Sequence, residues 1–232
     1  MMVPCIVASV EAELSQVMAE LNSRLDRTVG GCPLHVGRVG QTPIYCATVG
    51  VGIVSASVAL GCLFASVPVS QVIMIGSAGA LPDSGLTAGD VAVASSEIMA
   101  ELGICTGEGL GDAGSLGLPG LDQAISLDER LSRSLVDSAQ GSFHACSGAF
   151  LSVAGVSNDH AQAVARADRF RAVVENMEGY ALALAGRRFG IPVGEVRAVS
   201  NQAGVRDKST WKLDLANERA QTVILDYLRR SL

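Results

Sequence analysis

Aromatic side chains are scarce in this 232-residue chain: Phe, Trp and Tyr make up 4%, against 49% hydrophobic residues overall. The core must therefore be aliphatic, which suits strands covered on both faces by helices. Basic clusters are also missing. Seventeen Lys and Arg are scattered among 23 Asp and Glu, for a net charge of −6, which argues against a nucleic-acid partner. The six cysteines (Cys5, Cys32, Cys46, Cys62, Cys105 and Cys146) show no Cys-x-x-Cys spacing, and no stretch reads as a secretory signal. Reduced thiols in a cytoplasmic protein are the expectation. His35, His144 and His160 lie far apart and adjoin no Cys or acidic cluster, so no metal site is expected. No Gly-x-Gly-x-x-Gly follows the first strand and no P-loop Lys is present, so no cofactor is expected.

Charge itself is absent between Val39 and Pro82. Pro43, Gly50, Gly52, Pro68 and Gly76 interrupt this stretch, and Thr48, Ser55, Ser57, Ser66, Ser70 and Gln71 punctuate it. No run offers the roughly 20 clean apolar residues with basic anchors that a membrane span needs. The expectation is a buried strand–helix–strand unit, with no membrane partner.

In chain order, residues 3–8 form an apolar strand, and Ser9 is placed to cap a helix that begins Val10-Glu11-Ala12-Glu13. Residues 34–39 and 43–49 pair across Gly40-Gln41, and Gly50-Val51-Gly52 opens a small-residue helix near 54–65. Residues 72–75 make a buried strand ending in Gly76-Ser77-Ala78-Gly79, and 91–94 another. The stretch 103–120 holds seven glycines and reads as a mobile loop or lid, with a tolerated surface insertion as the alternative. Helices are expected at 127–138 and 160–166, a strand into Ser147-Gly148-Ala149-Phe150-Leu151, and an amphipathic C-terminal helix near 215–228. No internal repeat or linker appears, so one domain is expected.

Residues 174–204, VENMEGYALALAGRRFGIPVGEVRAVSNQAG, are the most informative stretch. They read as strand, helix, strand. Glu178 lies at the helix start, Gly190 and Pro192 stop the helix, and Ser200-Asn201 ends the second strand. Ligands of open α/β sheets sit at such element ends. Glu178 is also compatible with a plain helix-start carboxylate.

Taken in order, GSAG after a buried strand, a Phe-bearing turn, Met-Glu-Gly at a helix start and a strand ending Ser-Asn resemble the nucleoside phosphorylase and nucleosidase superfamily. The resemblance spans almost the whole chain and implies a single-domain, three-layer αβα sandwich around a central mixed sheet. It implies N-glycosidic hydrolysis of a small-molecule nucleoside by a homo-oligomer. Under it, Glu13 occupies the position of the water-activating carboxylate. Ser77, Ala78 and Gly79 line the ribosyl and base pocket, and Met177 lies under the ribose. Phe150 stacks on the purine while the Leu151 backbone reads its edge. Glu178 accepts hydrogen bonds from the ribose hydroxyls, and Asn201 faces the base near N7.

Glycosidic cleavage builds positive charge on the sugar and negative charge on the base, so an ionised Glu178 stabilises the first. A Glu13 general base contributes ~10²–10⁴-fold. Asn201 departs from the Asp of adenine-releasing relatives. An amide donates to O6 of a 6-oxopurine, where a carboxylate would face it unpaired, so hypoxanthine is the expected leaving base. Asn176 departs as well, since an acidic residue is more usual before Met-Glu. Phosphorolysis needs cations to hold phosphate, and none lies between Val39 and Glu129, so water is the expected acceptor. Arg206 or Lys208, the nearest cations after Asn201, are candidates to pair with a substrate carboxylate beyond the ribose. The competing expectations are an adenine-releasing nucleosidase and a catalytically silent nucleoside-binding protein.

Overall fold

A computed structural model describes residues 2–106, 109–111 and 113–231, the side chains of 105, 106, 109, 110 and 231 excepted. Twelve strands lie in the described residues: β1 Val3–Ala8, β2 Asn22–Val29, β3 Cys32–Val39, β4 Thr42–Thr48, β5 Val69–Ala80, β6 Val91–Met99, β7 Cys105–Thr106, β8 Gly109–Leu110, β9 Ala124–Ser126, β10 Ala145–Ser152, β11 Val174–Asn176 and β12 Val193–Gln202. The helices are α1 Ser15–Ala19, α2 Ile53–Ser66, α3 Glu129–Gln140, α4 His160–Phe170, α5 Gly179–Phe189 and α6 Leu213–Ser231.

The main sheet is mixed and runs β11-β10-β6-β12-β5-β1-β4-β3-β2, with β9 beside β6. β5 is parallel to β1 and β12, whereas β12 and β6 are antiparallel. β11 pairs with β10 and also, antiparallel, with β5 through Val174↔Ala80 and Glu175↔Gly79. That second pairing closes β5, β12, β6, β10 and β11 into a ring. It brings the turn after β11 against the end of β5.

Alternation along the strands divides the core. Cys5 and Val7 pack with α2 and α5 through Leu60, Leu63, Tyr180 and Leu182. Ile6 and Ala8 pack with α1, α3 and α6 through Val17, Leu135, Val223 and Leu228. Both sheet faces are thus covered, and aliphatic side chains fill them, as the composition requires.

Three local expectations are corrected. Gly76-Ser77-Ala78-Gly79 does not end its strand; β5 continues to Ala80, because β12 and β11 supply backbone partners along it. Ser200-Asn201 likewise lies within β12. Ser9 does not cap a helix: Glu11–Leu14 is a 3₁₀ turn ahead of α1, and the Glu13 carboxylate takes the free N–H groups of Ser9 and Val10. β2, polar and largely exposed, carries no apolar signal in the sequence. The lid expectation for 103–120 falls partly on 107, 108 and 112, which lie outside the described residues. The rest of that stretch includes the short β7–β8 ladder and a 3₁₀ turn at Ala113–Leu116.

Candidate active site

The carboxyl ends of β1, β5, β11 and β12 surround a cavity of about 220 Å³. Its lining includes Glu13, Ser77, Ala78, Gly79, Met177, Glu178, Asn201 and Arg206. These residues come from segments up to 193 positions apart, and the ring of strands gathers them.

Glu13 is buried, and backbone donors fix its carboxylate. Ser77 N–H donates to Oε1 (3.1 Å), and Ser9 N–H (3.1 Å) and Val10 N–H (3.4 Å) donate to Oε2. Burial pushes its pKa above the ordinary glutamate range, and the charge of Arg197 and the Ser77 N–H only partly pull it back. Gly76 makes room for this group. A Cβ there would lie 2.6 Å from Arg197 Nη1 and 2.7 Å from Glu13 Oε1, closer than side chains approach.

Glu178 directly precedes α5. Gly52 N–H, at the start of α2, donates to its Oε1 (2.8 Å), and Arg197 Nη2 donates to its Oε2 (3.2 Å). Each oxygen retains a lone pair. Asn176 organises the segment: its Oδ1 accepts from Glu178 N–H (2.9 Å) and Gly179 N–H (2.8 Å), satisfying amides at the start of α5.

Arg197 is the group the sequence reading missed. It projects from β12, is 1% exposed, and sits among three carboxylates. Nε donates to Glu195 Oε1 (2.7 Å), Nη2 to Glu178, and Nη1 to Ser77 O (3.3 Å). Burial alone would lower its pKa, but the charges of Glu195, Glu178 and Glu13 outweigh that and hold it above the ordinary arginine range. A signal was present: Glu195 and Arg197 are two apart in the otherwise apolar VGEVRAV, so both face the same side of one buried strand.

A register shift between Val199 and Asn201 in the β12–β5 pairing turns Asn201 toward the cavity. Ser200 Oγ donates to Asn201 Oδ1 (2.7 Å), and Asn201 Nδ2 donates to Gln202 O (2.9 Å). One amide hydrogen remains. At the rim, the Arg206 guanidinium stacks on Trp211, 5.3 Å from the ring centroid. Asp207 turns its carboxylate to Ser209 N–H and Oγ rather than into an ion pair with Arg206.

Phe150 and Leu151 are not brought to the cavity. β10 is flanked by β6 and β11 and covered on both faces. Phe150 is 0% exposed in the core beneath α5, and Leu151 packs with Leu81, Ala163 and Ala203 on the other face. Leu151 also pairs with Ile98 and Glu175 in the ladder. The phenyl ring has no free face for a base, so the expectation of stacking is corrected. Val10, Val51, Val156 and Trp211 form the apolar wall instead.

An aliphatic mixed sheet closed into a ring thus frames a cavity with two buried carboxylates and an arginine at its strand ends. The phosphorylase superfamily model matches residues 5–229, and the chain belongs to that family. A futalosine hydrolase of Thermus thermophilus is 37% identical over 184 residues, 76% of each chain. A 5'-methylthioadenosine/S-adenosylhomocysteine nucleosidase of Marinomonas is 25% identical over 97% of each. The fold matches that of the corresponding Neisseria meningitidis nucleosidase with a TM-score of 0.88, 19% identity and full coverage of both chains.

Proposed function

We propose that this chain hydrolyses the N-glycosidic bond of futalosine, releasing hypoxanthine, a step toward menaquinone. It acts as a single three-layer αβα domain, with helices on both sheet faces. The observation that carries this reading is the pair of buried carboxylates, Glu13 and Glu178, held by backbone N–H groups on one cavity. The similarity to the Thermus thermophilus futalosine hydrolase supports the substrate.

Glu13 takes the proton of a water attacking the anomeric carbon. Glu178 binds the ribose hydroxyls and faces the developing cationic sugar, where a fixed negative charge lowers the barrier. Its partner Arg197 holds it in place. Ser9 Oγ, buried on the cavity wall without a partner among the described residues, has its hydroxyl free for the water or the sugar. Asn201 gives its remaining N–H to O6 of hypoxanthine, with Ser200 fixing the orientation of the amide.

Arg197 and Arg206 are the cations of the cavity lining. Arg197 is saturated by Glu195 and Glu178, so phosphate would have to displace a buried ion pair, and water is the acceptor. Arg206 pairs with the benzoate that futalosine carries beyond the ribose. The face of α2 beside Val51 exposes Val54 (80%) and Val58 (62%) and is covered by a second copy of the chain. Size-exclusion chromatography with light scattering reads that assembly directly.

A second reading, adenine release from a methylthio- or aminofutalosine-type nucleoside, has the full-length Marinomonas similarity in its favour. Incubation with futalosine, aminofutalosine, inosine and methylthioadenosine, with and without phosphate, separates the two. Hypoxanthine from futalosine without phosphate is the expected product. Adenine as the sole released base would establish the second reading, and no release from any substrate would mark a binding protein.

A further inference from the structure

Behind Arg197 lies a buried polar network that the steps above do not use. Glu97 on β6 and Glu195 on β12 are both 0% exposed. Glu97 Oε2 accepts from Ser152 Oγ (2.7 Å), and its Oε1 accepts from Asn176 Nδ2 (2.8 Å). Glu195 Oε1 accepts from Arg197 Nε, but Glu195 Oε2 has no donor from any described group. The two carboxyls meet over Gly179. A Cβ there would fall 2.0 Å from Glu97 Oε1 and 2.3 Å from Glu195 Oε2, so only glycine admits the pair. Two bare carboxylates cannot face each other in a dry interior, and a buried oxygen without a donor is costly. A proton on Glu97 resolves both problems.

We propose that Glu97 is a neutral positioning residue, whose carboxylic acid proton is shared with Glu195 and ties Arg197 to the start of α5. The shared proton orients Glu195, and Glu195 orients Arg197 against Glu178. On its other side, Glu97 holds Asn176, whose Oδ1 binds the Glu178 and Gly179 amides, and Ser152, whose Oγ accepts from Tyr180 N–H (2.7 Å). One proton therefore fixes Glu178 from both directions. Burial, then the charge of Glu195, pushes the Glu97 carboxyl well above the ordinary range, consistent with this assignment. The role assigned to Glu178 rests on the proposed hydrolysis; the proton itself does not.

The test compares Glu97→Gln, Glu97→Ala and Glu195→Gln. Glutamine at 97 is the neutral isostere of the acid: it turns an N–H₂ to Glu195 and keeps a carbonyl for Ser152, giving up only the acceptor that Oε1 offers Asn176 Nδ2. It is expected to melt within about 2–4 °C of wild type. Glu97→Ala and Glu195→Gln are expected to lose roughly 10²-fold in kcat through misplaced Arg197 and Glu178, with a smaller change in KM. The wild-type minus Glu97→Gln infrared spectrum at pH 8 should show the C=O band of a protonated carboxyl. That readout needs no substrate and stands even if the alanine variant does not fold or the proposed reaction is wrong. Absence of the band, or a Glu97→Gln variant as damaged as Glu195→Gln, would overturn the assignment.

Discussion

Replacing Arg197 with Met would remove the cation that three buried carboxylates share while keeping most of the aliphatic volume. Glu195 and Glu178 lie 2.7 and 3.2 Å from the guanidinium, and Glu13 feels its charge. Deleting one partner of a buried ion pair costs about 3–5 kcal/mol, because the other charge stays in a dry site. For a domain of this size each kcal/mol moves Tm by about 2–4 °C, so a fall of roughly 6–20 °C is expected. The loss must depend on pH. Arg197 lowers the folded-state pKa of Glu13 and Glu195, so without it both rise further above their unfolded values. A carboxyl with a raised folded pKa contributes stability below its unfolded pKa, and that contribution is lost as pH rises through the folded pKa. The deficit should therefore be small near about pH 5 and grow toward about pH 8. Urea unfolding followed by circular dichroism at the two pH values measures it. A deficit that is equal at both, or below about 1 kcal/mol at the higher pH, would refute the account of Arg197 as the shared counter-ion.

The other predictions concern the chemistry. Glu13→Gln should reduce kcat by ~10²–10⁴-fold while nucleoside binding, read by calorimetry, persists. In the unmodified enzyme, the raised Glu13 pKa should place the acid limb of kcat/KM above the ordinary glutamate range, with activity rising as pH rises through it; a limb at or below that range would remove Glu13 as the base. Asn201→Asp should shift the ratio of kcat/KM for 6-oxopurine and 6-aminopurine nucleosides toward the amino compound by about 10-fold or more, since a carboxylate leaves O6 unpaired. An unchanged ratio in competition assays would detach Asn201 from base selection. Arg206→Ala should raise KM for futalosine about tenfold and leave inosine, which lacks the benzoate, unaffected, because a charge-assisted pair at a half-open rim is worth about 1–2 kcal/mol; equal effects on both substrates would count against the pairing.

Much of the fold was legible because its signals are local. Residues 3–8, 72–75 and 193–199 announce strands by apolar runs bounded by Gly, Pro or polar residues, and α5 announces itself by Gly190 and Pro192 after small apolar repeats. Element ends were less legible. β5 and β12 run through glycine and polar residues that look like turns, because pairing across the sheet overrides local preference. β2 was invisible, since an exposed strand needs no apolar face.

The sequence by itself determined an aliphatic α/β chain with carboxylates at Glu13 and Glu178, an amide at Asn201 and a small-residue segment at Ser77 to Gly79. These follow from residue type and short-range order. Only the tertiary structure decided what surrounds them. Closure of β11 onto β5 set Met177 and Glu178 beside Gly79. The register of β12 placed Arg197 between Glu195 and Glu178, and the covered faces of β10 sent Phe150 into the core instead of the cavity. Strand pairing is non-local, and a one-residue slip reverses which face a side chain takes. Whether a carboxylate, a guanidinium or a ring meets the cavity is therefore fixed by strand partners well separated from it in the sequence.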